Sequence, residues 1–197
     1  MKQALSLALL LTVAMLSGCA QNVELIKSMS VATRNDIFQE LPEKAAIPEG
    51  YADLFISASL KTHMPGLYPF EKKPHGTTDY ILLLNIDGQA TRIRGDLKEE
   101  KSEPRFVRDP EAGEGIRYNF RKNVRLKAGT HKIAVAIPDD GIIIVNEFTL
   151  LEGSTNYLVL EPVYGRTAVR QRPGFYGLTS FSQGMTGIKA YLNGRAL

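Results

Sequence analysis

The residues that could do chemistry in this chain are one cysteine and three histidines. Cys19 is the only cysteine among 197 residues, so it cannot form a disulfide within the chain. A thiolate is a strong nucleophile, which makes Cys19 a candidate acceptor for a covalent group. His63 and His75 share one segment, and a metal site there is one interpretation. No two histidines lie within four residues of each other, so we favour separate histidines on the surface, with His131 facing solvent at the start of a strand.

Other catalytic patterns are missing from the sequence. Ser180 and Ser182 lie in a glycine-rich stretch without the Gly-x-Ser-x-Gly elbow of many hydrolases. Asp139-Asp140-Gly141 lacks the alternating oxygen ligands of a calcium loop and predicts a turn. Neither a phosphate-binding loop nor a dinucleotide fingerprint is present. The sequence therefore predicts no catalytic residue, no metal ligand and no cofactor.

Basic residues cluster in one predicted strand. With side chains alternating across the strand, Arg117 and Arg121 share a face, and such a face would suit anionic lipid headgroups or an acidic partner. An ordinary solvated outer face of a sheet is the interpretation we prefer. The cluster comprises Arg117, Arg121, Lys122, Arg125 and Lys127.

The N-terminus has the layout of a secretory signal peptide. Lys2 supplies a positive charge, residues 4–16 are almost entirely apolar, and the small residues Ser17 and Gly18 follow. The apolar stretch is shorter than the ~20 residues that span a bilayer. An ordinary cleaved signal peptide and a buried anchor helix with an incidental cysteine are the alternatives.

The stretch Leu16-Ser17-Gly18-Cys19 resembles the lipobox of bacterial lipoproteins. This resemblance implies that Cys19 receives a diacylglyceryl group and becomes the first residue after cleavage. Its new amine is acylated in many Gram-negative species. Two or three acyl chains anchor a protein durably, whereas one chain binds reversibly. Ala20 stands where an Asp resembles an inner-membrane retention signal, so we expect an outer-membrane lipoprotein facing the periplasm.

The chain divides into a signal peptide over 1–18, a lipidated N-terminus and tether over 19–50, and one β domain over 51–197. A weak helical pattern predicts a possible helix within 23–40. Without Lys2, the chain has 23 Lys and Arg beside 21 Asp and Glu, a net charge of +2. That balance does not favour a nucleic acid as partner.

Alternation with a period of two dominates after residue 50. Leu54, Ile56, Ala58 and Leu60 share one face of a predicted strand, and Asp87-Gly88 predicts a hairpin turn. Turn signals recur every 8–12 residues, which predicts an antiparallel β-sandwich of about seven to eight strands. Residues 61–78, 95–115 and 165–187 are rich in Pro, Gly or charge and are interpreted as loops.

A second resemblance covers about residues 80–163. The segments Val124-Arg125-Leu126-Lys127-Ala128-Gly129-Thr130-His131-Lys132-Ile133-Ala134-Val135 and Phe148-Thr149-Leu150-Leu151-Glu152-Gly153-Ser154-Thr155-Asn156-Tyr157-Leu158-Val159-Leu160 are similar to the central part of PEGA-type domains. This resemblance implies a small β-sandwich of the kind found in bacterial surface proteins, without an established catalytic role.

These observations favour a lipid-anchored envelope protein that acts as a non-enzymatic binding or structural module. Its partner would be an envelope protein reached through the loops 61–78 or 165–187. One alternative is a hydrolase or metal-dependent enzyme, in which those loops converge and place His63 or His75 beside a Ser, Asp or Glu. Another is a small-ligand carrier with an apolar cavity between its sheets.

Overall fold

The structure is a computed structural model that describes residues 21–41, 46–66, 73–105, 109–164 and 185–197. Its described part contains a helix, α1, over 21–29, ten strands and one short 3-10 helix, η1. The strands and η1 are, in chain order, β1 (Phe38–Glu40), β2 (Tyr51–Thr62), β3 (Ile81–Ile86), β4 (Gln89–Ser102), β5 (Gly113–Lys127), β6 (Gly129–Ile137), η1 (Pro138–Asp140), β7 (Ile142–Leu150), β8 (Thr155–Tyr164), β9 (Met185–Leu192) and β10 (Arg195–Ala196).

The strands form one continuous, curled sheet. Its order is β10-β9-β8-β2-β5-β4-β3-β6-β7, with β1 added beside β5. All neighbours are antiparallel except β2 and β8, which run in parallel. The sheet is therefore mostly β as expected but mixed, and the expected sandwich of seven to eight antiparallel strands is not confirmed.

The curl follows from β4, which changes partner along its length. Residues 89–94 pair with β3, and residues 95–102 pair with β5. At the change stands Gly95, where an added Cβ would lie 3.2 Å from Tyr118 and Phe120 side-chain atoms. The absent side chain lets the strand pass close over these rings. The sheet bends until β7 lies against β9, and the two halves enclose one core.

Two local predictions are confirmed. Leu54, Ile56 and Leu60 are buried on the inner face of β2. Asp87 and Gly88 both have a positive φ, at 46° and 93°, and connect β3 directly to β4. That geometry matches the twist of the flanking strands in a two-residue hairpin. By contrast, the loop expected over 95–115 is wrong in large part, because β4 extends to Ser102 and β5 begins at Gly113.

Residues 21–41, expected to belong to a tether, pack on the domain. Helix α1 ends at residue 29, well before the expected end at 40, and places Ile26 against Leu83 and Ala136 on the outer face of the sheet. Strand β1 pairs with the end of β5, from Phe38 opposite Leu126 to Glu40 opposite Val124.

One end of the sheet collects the loop attachments, and we call it the loop end. Strands β2, β4, β6 and β8 run toward it, and β3, β5, β7 and β9 run away from it. Because β2 and β8 are parallel neighbours, the chain leaves Thr62 and Tyr164 at this same end. Here η1 joins β6 to β7. The two loops proposed to reach a partner, 61–78 and 165–187, are therefore attached side by side.

Candidate functional site

His63 and His75 lie together at the loop end, buried and in contact. Their residues are 3% and 2% exposed, so the expectation of separate surface histidines is wrong. The two rings meet edge to face, with centroids 5.0 Å apart. With Lys73, Tyr80 and Asp140 they form what we call the histidine cluster.

The hydrogen bonds of the histidine cluster link its members into one continuous chain. His63 Nδ1 lies 2.8 Å from the Met64 carbonyl oxygen, His63 Nε2 lies 3.1 Å from His75 Nδ1, and His75 Nε2 lies 3.0 Å from Asp140 Oδ1. A carbonyl and a carboxylate only accept, so each of these three contacts needs one N–H hydrogen. His63 Nδ1 and His75 Nε2 are therefore the donors to the carbonyl and the carboxylate, and the tautomers decide which ring donates in the contact between the rings.

Asp140 is the acceptor at one end of this chain of hydrogen bonds. Its Oδ1 also accepts from Lys73 Nζ at 2.7 Å, and its Oδ2 accepts from the Tyr80 hydroxyl at 2.7 Å. Burial would raise the pKa of Asp140, but the hydrogen bonds from His75, Lys73 and Tyr80 outweigh it and hold the pKa below its ordinary value. Asp140 is therefore ionised near neutral pH.

The pKa values of two neighbours of Asp140 are raised. Burial, together with the charge and hydrogen bond of Asp140, raises the pKa of Tyr80 far above its ordinary value. Burial and the nearby Asp140 also raise the pKa of Asp139. Tyr80 thus stays a hydrogen-bond donor, and the cluster carries its negative charge on Asp140.

This arrangement positions chain segments. It ties the end of β2, residues 73–80 and η1 to one another through buried, charge-assisted hydrogen bonds, which are stronger than neutral ones. Within the described residues, the two rings hydrogen-bond to each other, to Met64 and to Asp140, and to no serine or threonine hydroxyl. The same part of the chain contains no group of three or more metal-ligating side chains. Ser180 and Ser182 lie outside the described residues, as does Cys19.

A second buried group at the loop end surrounds Lys61, which is fully buried. Its Nζ donates to Ser102 Oγ at 2.9 Å and to the carbonyl oxygens of Glu111 at 3.1 Å and Gly113 at 2.6 Å. Burial lowers the pKa of Lys61. Three acceptors around one amine nevertheless match the three hydrogens of an ammonium, so we interpret Lys61 as a clamp on Ser102, Glu111 and Gly113 and not as a nucleophile.

The predicted basic cluster is divided by ion pairs. Arg117 binds Glu100 and Glu111, which raises its pKa. Lys122 pairs with Glu40, and the buried Arg125 pairs with Asp53. Arg121 and Lys127 are exposed. The preferred interpretation, a solvated sheet face, therefore fits only part of the cluster, and a continuous basic patch is not formed.

Two further sequence predictions have opposite outcomes. His131 is buried, with Nδ1 2.7 Å from Asp87 Oδ2 and Nε2 2.8 Å from the Lys127 carbonyl oxygen, so the expected solvent-facing position is wrong. Asp139-Asp140-Gly141 does turn the chain, as η1 followed by Gly141 at φ 66°. Sequence reasoning missed the role of Asp140 because its partners lie 60 or more residues away along the chain.

The outer face of the sheet presents an apolar patch away from these clusters. Phe55 and Tyr157 stack across the parallel pair β2–β8, with ring centroids 5.5 Å apart. Val159 follows on the same face and lies opposite Tyr191 of β9. Tyr157 is 57% exposed and Val159 39%. Aromatic residues at a surface are enriched in protein interfaces.

A cavity of about 310 Å³ lies between α1 and the sheet, lined by Met29, Asn85, Gly88 and Lys132 among others. It lies outside the core, so it is not the cavity between sheets that a small-ligand carrier would need.

Within the described residues, no helix is long and apolar enough to span a membrane. Comparisons with family models, with curated proteins and with solved structures find no match.

Proposed function

We propose that this protein is a bacterial lipoprotein of the cell envelope, anchored through acylated Cys19, that acts as a non-enzymatic binding or structural module. The observation that carries the proposal is the order of signals before Cys19: a positive residue, a short apolar stretch and two small residues. Ala20 supports placement in the outer membrane, facing the periplasm.

The architecture supports the module function. The curled sheet is a rigid platform, since its two halves share one core. The histidine cluster and the Lys61 group fasten the loop end by buried hydrogen bonds, which position the attachment of 61–78. At the attachment of 165–187, the Tyr164 hydroxyl donates to Glu111 Oε1 at 2.7 Å. Anchoring raises the effective concentration of such a surface at the membrane, so a weak contact with an envelope partner becomes sufficient.

The enzyme alternative has one observation in its favour. The parallel pairing of β2 and β8 brings the two loops to the same end, and His75 lies beside Asp140. A substitution separates the two functions: His75→Gln abolishes hydrolysis if the ring is catalytic. If the cluster only positions the loops, His75→Gln lowers the free energy of unfolding, and any loss of partner binding follows from that lower stability.

The anchoring itself is tested in a Gram-negative host by labelling with an alkynyl palmitate and separating membranes from soluble proteins. The wild-type chain should be labelled and should remain with the membranes. The Cys19→Ser variant should be unlabelled, while Ser17→Ala, which keeps the thiol and a small residue, should behave as wild type. A membrane-bound chain that is unlabelled in both the wild type and Cys19→Ser would remove the proposal.

A further inference from the structure

The anchor position and the packing of α1 together fix which way the domain faces. Gln21, the first residue of α1 that the structure describes, follows Cys19 by two positions, with Ala20 alone between them. Two extended residues span at most about 7 Å. Acyl chains on Cys19 therefore leave little free chain between the membrane and α1.

Helix α1 is fastened to the domain at both ends. Near its start, Asn22 Nδ2 donates to the Gly141 carbonyl oxygen at 3.3 Å. Near its end, Asn85 Nδ2 donates to the Met29 carbonyl oxygen at 2.8 Å, and Ile26 is buried between them. Short helices are marginal in water by themselves, so this packing stabilises the described part of α1.

The direction of α1 places the anchor at the loop end. Gly141 follows η1 at the loop end, whereas Asn85 lies near the far end of β3, next to the hairpin turn. The described part of the helix thus runs from the loop end toward the far end of the sheet. Cys19 is joined to its loop-end terminus through Ala20 alone.

Exposed apolar residues lie beside the same connection. Val23, in the first turn of α1, is 47% exposed, and Leu25 is 36% exposed. Apolar side chains on an interfacial helix enter the boundary between headgroups and acyl chains. The surface next to the anchor is therefore suited to lipid contact.

We propose that the loop end of the sheet faces the phospholipid surface at close range, with the first turn of α1 in contact with the headgroups. The inference rests on the proposed acylation of Cys19. It has a consequence for the partner: a molecule that contacts the loops 61–78 or 165–187 lies at the membrane surface and not deep in the periplasm.

The single native cysteine makes the orientation measurable. In the acylated protein, Thr78→Cys at the loop end or Leu151→Cys at the far end introduces the only free thiol. Both positions are exposed. The nine residues of β7, which separate the two ends, span roughly 30 Å. A fluorophore at each thiol is read in phosphatidylethanolamine and phosphatidylglycerol vesicles that carry a nitroxide near the headgroup.

The label at position 78 should be quenched and the label at 151 should not. A matched variant with 20 Gly and Ser residues inserted after Ala20 has an added reach of about 25 Å. It should keep its membrane binding and lose the quenching at position 78. Equal quenching at both positions, stronger quenching at 151, or quenching at 78 that the insertion leaves unchanged would overturn the orientation.

Failure of the two proposals is distinguishable in the same experiment. A wild-type chain without acyl groups does not float with the vesicles, and that result removes the proposed function. A chain that floats but shows the wrong quenching pattern leaves the anchoring intact and removes only the orientation.

Discussion

The Asp140→Asn substitution tests the charge assignment of the histidine cluster. In the folded protein, Asp140 accepts hydrogen bonds from His75, Lys73 and Tyr80. An asparagine keeps the shape but removes the charge, and its amide hydrogens face donors. Hydrogen bonds to a charged group contribute about 1.5–3 kcal/mol each, so loss of the buried carboxylate should lower the free energy of unfolding by about 3–5 kcal/mol. Lys73 is 45% exposed along its side chain, so its share is small.

Two control variants separate the loss of the Asp140 charge from smaller changes at the same place. Tyr80→Phe removes one hydrogen-bond donor and keeps every charge, so it should lower the free energy of unfolding by only about 1 kcal/mol. Asp139→Asn removes a neighbouring carboxyl group whose raised pKa means that the folded state disfavours its charge. It should be neutral or slightly stabilising at pH 7, within about 0.5 kcal/mol.

The pH dependence gives an independent check. The folded pKa of Asp140 lies below its unfolded value, so its stabilisation is complete above the unfolded value, near pH 4. It is lost as the pH falls through the folded pKa. The difference between wild type and Asp140→Asn, measured by urea unfolding followed by far-ultraviolet circular dichroism, should be full at pH 6 and shrink below pH 4. A difference under about 0.5 kcal/mol at pH 6 would refute the ionised cluster.

Three further substitutions test other parts of the fold. Gly115→Ala should lower the free energy of unfolding by about 1–3 kcal/mol or more, because its Cβ would lie 2.2 Å from the Thr62 carbonyl oxygen. Gly187→Ala is the control, because its Cβ would meet no atom within 4 Å. Equal Tm values for the two variants would contradict the close approach at Gly115. Lys61→Met removes the ammonium that donates to the Glu111 and Gly113 carbonyl oxygens, of which Glu111 keeps the Ser102 hydroxyl as a donor. It should cost about 1–3 kcal/mol, with hydrogen exchange rising over 109–113; unchanged exchange there would count against the clamp. Ile26→Ala should cost about 2–4 kcal/mol at most and speed proteolysis near α1, and an unchanged cleavage rate would show that the helix does not depend on this packing.

Local sequence patterns predicted several strands and one hairpin, whereas the order of the strands in the sheet depends on pairing between distant residues. Alternation identified the inner face of β2, and Asp87-Gly88 identified the β3–β4 hairpin, because both signals lie within a few consecutive residues. The parallel pairing of β2 with β8 joins residues about 100 positions apart and has no local signature. The same reason explains why the sheet is mixed and continuous when an antiparallel sandwich was expected.

The loop predicted over 95–115 is largely strand because its residues have partners elsewhere in the chain. The composition of residues 95–102 and 113–115 predicted a polar loop, yet these residues extend β4 and β5. There Arg117 forms an ion pair with Glu100, and Lys61 donates to the Gly113 carbonyl oxygen. His63, His75 and His131 read as surface residues for a similar reason. Each finds a carboxylate or another histidine that local spacing does not reveal. The PEGA-type resemblance over 80–163 stays a prediction.

Lipid attachment at Cys19 is tested most directly by the intact mass of the protein purified from bacterial membranes. We predict a chain that has lost residues 1–18 and carries a diacylglyceryl group, with or without an amide-linked acyl chain, on its first residue. Digestion should place that added mass on the peptide that begins with Cys19. A chain that retains residues 1–18, or whose Cys19 thiol reacts with iodoacetamide in the unfolded protein, would contradict the anchoring.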